Sequence, residues 1–335
     1  MALRRRDLFG LGGIGGALGL FLAWPGPHRS SAKGSNGTDL PLLNLDCTGD
    51  GSPAKGYGPR FMPPGYVTAG SRDALHTPVP WTPRSTEVRQ FDLSVIETTL
   101  EVAEGHTVTA WAYGGTIPGP LVRATLGDRI RVVLANHGNC AHSVHFHGAH
   151  DVSEDGLERV AKGESRFYEF EAGPVGLHPY HCHVPPYARH IGKGMHGVMI
   201  VDPLEPRPAA HEFVLSLCAF DTDGDGKNDV YGWNGMAGYY ERFPLKVPAG
   251  ELVRIYVVNM AEPDAIASFH LHAQTFDVYR SGTSSSPHEH TDIVSLGPAE
   301  RVILEFRLPR RGRYMFHPHQ SHMAERGAMG WIVAI

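Results

Sequence analysis

Residues 127–136 read Gly-Asp-Arg-Ile-Arg-Val-Val-Leu-Ala-Asn, and residues 250–259 read Gly-Glu-Leu-Val-Arg-Ile-Tyr-Val-Val-Asn. Each is a run of β-formers that opens on glycine plus an acid and closes on asparagine, which reads as a strand between turns. The recurrence extends outward. His145 and His147 are matched by His270 and His272, while Glu164, Phe170, Gly176, His181 and His183 are matched by Glu300, Phe306, Gly312, His317 and His319. The body of the chain is therefore one unit written twice. Within each copy short Val-, Ile-, Phe- and Tyr-rich runs alternate with Gly, Pro and Asn, and no long stretch has a helical period, so each copy is expected to be a β-sandwich. Asp202-Pro-Leu-Glu-Pro-Arg-Pro208 carries three prolines that cannot donate to a sheet ladder and reads as the linker. The expected domains are 87–203 and 208–335, preceded by an extension over 33–86.

Composition agrees. The 40 Gly and 26 Pro of the 335 residues make about a fifth of the chain against roughly 12% usually, favouring turns over helices. A net charge of -5 argues against nucleic acid as a partner. Met1–Phe9 is basic and the following stretch to Trp24 is uncharged, which reads as a removable signal over 1–32 that leaves no stable membrane span. Arg5 and Arg6 resemble a twin-arginine export signal, so the mature protein is expected in the periplasm or outside the cell. Of four cysteines, Cys182 stands between two histidines and is expected to bind a metal. Cys47, Cys140 and Cys218 then allow one bridge, with Cys47–Cys140 the favoured pairing among three.

The 21 histidines concentrate at four His-x-His pairs. On a strand, residues i and i+2 share a face, so His145 with His147, His181 with His183, His270 with His272 and His317 with His319 each present two imidazoles together. Cys182 points away from its flanking histidines, so one tripeptide can serve two metal sites. His190 and Met195 follow Cys182 by eight and thirteen residues, and His142 precedes His145 by three. Two His, one Cys and a weak thioether form the donor set of a blue copper site, whereas zinc gains little from a thioether.

Together, HSVHFHG at 142–148, HPYHCHVPPYARHIGKGM at 178–195, FHLH at 269–272 and FHPHQSH at 316–322 resemble the four copper-binding segments of multicopper oxidases, in their two-domain branch. The resemblance spans roughly residues 87–335. It implies two cupredoxin-like Greek-key β-sandwiches and four coppers per chain. His142, Cys182, His190 and Met195 would hold the type 1 ion, and His145 and His270 the type 2 ion. His147, His181, His183, His272, His317 and His319 would hold the type 3 pair. In the second copy Ala267, Pro318 and Ala328 replace His142, Cys182 and Met195, so one blue site is expected. His322 is expected to support the cluster without binding copper. The resemblance further implies a homotrimer whose clusters form between neighbouring chains, with dioxygen and a small reducing substrate as partners.

The function implied is laccase-like oxidation, phenolic by default, coupled to reduction of dioxygen to water. Copper nitrite reductase is the first alternative, although its second domain needs fewer copper histidines, and oxidation of a metal ion is another. A copper carrier would need neither a linked blue site nor a second set of paired histidines. Asp155, next to Gly156, resembles the acid that delivers protons to the cluster. Asp221, Asp223, Asp225, Gly226 and Asp229 imitate the start of a calcium loop, but Gly232 stands where its bidentate Glu belongs, so solvent is preferred. His288 and His290, in a Ser- and Gly-rich stretch, are expected on a solvated loop.

Overall fold

The computed structural model describes Leu75, His76 and residues 78–335. The expected signal, Cys47 and most of the 33–86 extension lie outside the described residues. Helices are short, at Tyr187–Gly192, Tyr239–Arg242 and Ser321–Glu325, and among the described residues no helix is long and apolar enough to cross a membrane.

The two strands that open the sequence reading sit at equivalent places. Arg129–Ala135 pairs in parallel with Arg89–Asp92 and antiparallel with Ser165–Glu171. Leu252–Asn259 pairs in parallel with His211–Phe220 and antiparallel with Arg301–Arg307. The turn before each strand needs a residue at positive φ, supplied by Gly127 (79°) and Gly250 (85°). In the first half the opposing sheet runs Val122–Thr125, His196–Asp202, Gly176–His181, His145–Phe146. The second half answers with Leu245–Val247, Gly330–Ala334, Gly312–His317, Ala267–Leu271, Ile293–Leu296. Neighbours in these sheets are seldom consecutive in sequence, because the chain crosses between layers. The architecture is two β-sandwiches.

Each half has its own core, one built on Ile130, Val132, Leu134, Tyr168 and Phe146, the other on Ile255, Val257, Phe269, Leu304 and Phe316. Ile130, Val132 and Leu134 alternate with more exposed neighbours, as a half-buried strand should. Leu252–Asn259 is buried on both faces instead. Its Tyr256 and Val258 pack on Leu177, Val198 and Ile200 of the first half, so this strand serves both its own core and the junction. Polar contacts reinforce that junction. Arg123 Nε and Nη1 donate to Asp202 (2.6 Å) and Glu212 (2.7 Å), and Arg254 donates to Glu212 (2.8 Å) and Glu305 (2.6 Å). Although burial works against it, hydrogen bonds and charge from Arg123 and Arg254 hold the Glu212 carboxyl below its usual range.

Candidate metal centres

In the first half the strand Gly176–His181 runs straight on into Cys182, and the helix Tyr187–Gly192 returns His190 to it. The Nδ1 atoms of His142 and His190 are 3.2 Å apart, and Cys182 Sγ lies 3.2 Å from His190 Nδ1 and 4.0 Å from His142 Nδ1. Nitrogen and sulfur donors at about 2.0–2.3 Å from one tetrahedral ion stand about 3.3–3.6 Å apart, so this spacing fits a single metal ion. Met195 is buried beside them, its N–H on the His190 carbonyl (3.1 Å) and its carbonyl on the Cys182 N–H (3.0 Å). Burial lowers His142 to about 3 and His190 to about 4, leaving neutral imidazoles. Burial also raises the Cys182 thiol, so its thiolate calls for a cation. Trp111 packs edge-on against both rings, at 5.5 Å from His142 and 4.9 Å from His190.

A second group gathers His145, His147 and His181. His145 Nδ1 donates to the Asp155 carbonyl (2.8 Å), with the Asp155 carboxylate at 3.1 Å, which fixes the tautomer and leaves Nε2 as a lone-pair donor. His147 Nε2 and His181 Nε2 face each other at 3.1 Å, and His181 Nδ1 donates to the Cys182 carbonyl (3.0 Å). The His183 ring stands 5.5 Å from that of His145, its backbone N–H held by Ser143 Oγ (3.0 Å). Desolvation by burial, aided by neighbouring histidines, lowers His147 to about 3 and His181 to about 4. The Asp155 turn is pressed against the strand it serves: a Cβ on Gly156 would lie 1.8 Å from the Val144 carbonyl oxygen, at φ +76°.

The second half repeats this arrangement bond for bond. His270 Nδ1 donates to the Asp292 carbonyl (2.8 Å), His272 Nε2 faces His317 Nε2 at 2.9 Å, and His317 Nδ1 donates to the Pro318 carbonyl (2.7 Å). His319 N–H is held by Ser268 Oγ (2.8 Å), and its ring lies 5.5 Å from that of His270. Imidazoles converging in threes, buried to half-buried in the first half and half-buried to exposed in the second, are donors that fit copper. Among the described residues the two triads, His145–His147–His181 and His270–His272–His317, form separate groups, one in each half.

Sequence reasoning missed three participants. Ser143 and Ser268 could have been found, since they stand two residues before His145 and His270. Asp292 gave no signal, because the strands Phe276–Arg280 and Glu289–Thr291 of the other sheet separate it in sequence from His270. His322 corrects an expectation: the helix Ser321–Glu325 turns it onto the Tyr231 ring (5.5 Å) and toward Asp264 (3.7 Å), not onto the cluster histidines. His290 also differs from the expected loop, standing on the edge strand Glu289–Thr291 between Asp277 (2.8 Å) and Thr275 (2.7 Å). Cys140 carries a disulfide while Cys182 and Cys218 are not disulfide-bonded; the expected partner Cys47 is outside the described residues. Asp221, Asp223 and Asp225 do cluster, but Asp221 and Asp223 accept backbone N–H groups of their own loop.

Comparison with known proteins places this geometry. Residues 94–206 and 214–334 each match the multicopper oxidase family model. A crystal structure of a multicopper oxidase superposes with a TM-score of 0.73 at 40% identity, covering 76% of this chain and 93% of that one. The copper nitrite reductase from Nitrosomonas europaea gives 0.69 at 31% identity, covering 74% and 94%. A copper-containing nitrite reductase of Neisseria meningitidis serogroup A is 30% identical over 266 residues, 72% of this chain and 68% of that protein.

Proposed function

The chain belongs to the multicopper oxidase family, and from that premise we propose that it is an exported laccase-like oxidase that takes single electrons from a small reducing substrate, phenolic by default, and reduces dioxygen to water. The observation that carries this reading is the second half-site. Its four histidines reproduce the first half's hydrogen bonds, a fuller donor set than nitrite reduction needs. In the proposal 87–203 and 208–335 are the two domains. His142, Cys182, His190 and Met195 hold type 1 copper, His145 and His270 type 2, and His147, His181, His183, His272, His317 and His319 the type 3 pair. Copper at these positions would supply one-electron oxidation at the first site and four-electron reduction of dioxygen at the other three.

The protein's own share is positioning and proton supply. The carbonyls of Asp155 and Asp292 fix His145 and His270 with Nε2 free. Cys182 joins the two sites of the first half by its peptide bonds to His181 and His183. The Asp155 carboxylate, 3.1 Å from His145 Nδ1, can hold a proton beside His145.

Because the two triads form separate groups within one chain, the proposal assembles each cluster between the first half of one chain and the second half of its neighbour in a homotrimer. Exposed Val152 shares a pocket with His145 and His147, and exposed Ile293 is the strand partner of His270. Apolar residues so placed suit burial in an interface. Copper nitrite reductase is the second reading, favoured by the relatives of that name. Four coppers per chain with phenol-dependent oxygen uptake would support the oxidase, whereas two coppers with nitrite consumption would replace it with the reductase.

A further inference from the structure

The helix that carries His190 also forms one wall of a cavity of about 690 Å³, well within the range of small-molecule sites. Arg189, Gly192 and Lys193 form that wall, facing Asp221, Asp223 and Glu262 from the second half. The charges on the two sides are not equally free. Asp221 and Asp223 accept N–H groups of their own loop (2.6, 2.9 and 3.0 Å), and burial raises the Glu262 carboxyl, which favours its neutral form. Among the described residues, neither the Arg189 guanidinium nor the Lys193 ammonium has a hydrogen-bonded or ion-paired partner. Arg189 lies over Trp111, 5.2 Å from its ring, and Trp111 in turn touches His190.

We propose that this cavity is where the reducing substrate docks, and that Arg189 and Lys193 select a small aromatic reductant bearing an acidic group. The inference rests on the oxidase reading above. Four phenolates lose one electron each to become phenoxyl radicals, and one dioxygen takes those four electrons with four protons to give two waters. Arg189 and Lys193 position the anion and take no part in that exchange.

The test uses the copper-loaded protein. Steady-state kinetics with 4-hydroxy-3-methoxybenzoate and its methyl ester are measured alongside calorimetric binding of redox-inert 4-methoxybenzoate. In Arg189→Gln and Lys193→Gln the KM for the carboxylate should rise roughly tenfold, the loss expected for one charge-assisted hydrogen bond, while the ester changes less than twofold and Lys193→Arg restores the preference. Binding of 4-methoxybenzoate should weaken in parallel. Equal KM changes for acid and ester, or faster turnover of a ferrous or cuprous ion than of either phenol, would overturn the inference. Should the wild type bind 4-methoxybenzoate at this site yet oxidise neither phenol, the docking site stands and the oxidase reading falls. Oxidation of both phenols without discrimination or binding gives the reverse.

Discussion

At the scale of single residues the two kinds of site make separable demands. In the proposed assignment Cys182 supplies the thiolate of the first site, while His181 and His183 on either side serve the second. Cys182→Ser should therefore abolish the intense blue absorption and substrate oxidation while the other three coppers stay bound, measurable by optical and spin-resonance spectra with copper analysis. A variant that stays blue removes Cys182 from the assignment. Asp155 and Asp292 share one role toward His145 and His270 through their backbone carbonyls, but only Asp155 also brings a carboxylate oxygen within 3.1 Å, against 3.7 Å for Asp292. Asp155→Asn keeps the carbonyl and removes the titrating group. Reoxidation by dioxygen should slow by roughly 10² to 10⁴, the usual worth of general acid assistance, with anaerobic reduction of the blue band unchanged; Asp292→Asn should slow it less. Stopped-flow traces resolve the two steps, and equal reoxidation in Asp155→Asn and wild type would leave that carboxylate no role.

Among the elements, the turn at Asp155 shows how tightly a loop is specified when it serves a strand. In Gly156→Ala the new methyl meets the Val144 carbonyl at positive φ, and strain of this kind costs about 1–3 kcal/mol before the clash is counted. A lower melting temperature and loss of the copper held by His145 are expected, and unchanged values of both would contradict the close approach described. Elements of this sort mark what a reader of the sequence can and cannot see. The His-x-His pairs are legible because a strand's period of two puts both rings on one face, and the doubled Gly127 and Gly250 strands are legible because their turns repeat. The two-faced burial of Leu252–Asn259 is not, since it depends on Leu177 and Ile200 arriving from the other half. Asp292 escapes for the same reason, being brought to His270 by strand pairing across twenty-odd residues. His322 misleads because a single helical turn after His319 redirects a side chain that a continuing strand would have sent elsewhere.

For the whole molecule, one carboxylate, Glu212, links two arginines at the junction between halves. Glu212→Ala would remove the carboxylate that Arg123 and Arg254 share, leaving Arg123 on Asp202 and Arg254 on Glu305, a loss of about 1.5–3 kcal/mol for a charged hydrogen-bond partner. Urea unfolding of the copper-loaded protein should register it, and a midpoint within error of wild type would show the network to be dispensable. The separation of the two histidine groups within one chain has a genetic consequence. A chain disabled at His145 and a chain disabled at His270 should each be inactive alone, yet complement one another when refolded or expressed together. In the proposed closed ring of three, every mixed ring contains one junction at which both facing halves are intact, so random mixing at equal dose should restore about a quarter of the wild-type activity. Were each cluster built within a single chain, no mixture of the two cripples would recover anything, and the inheritance of activity would follow the chain instead of the junction.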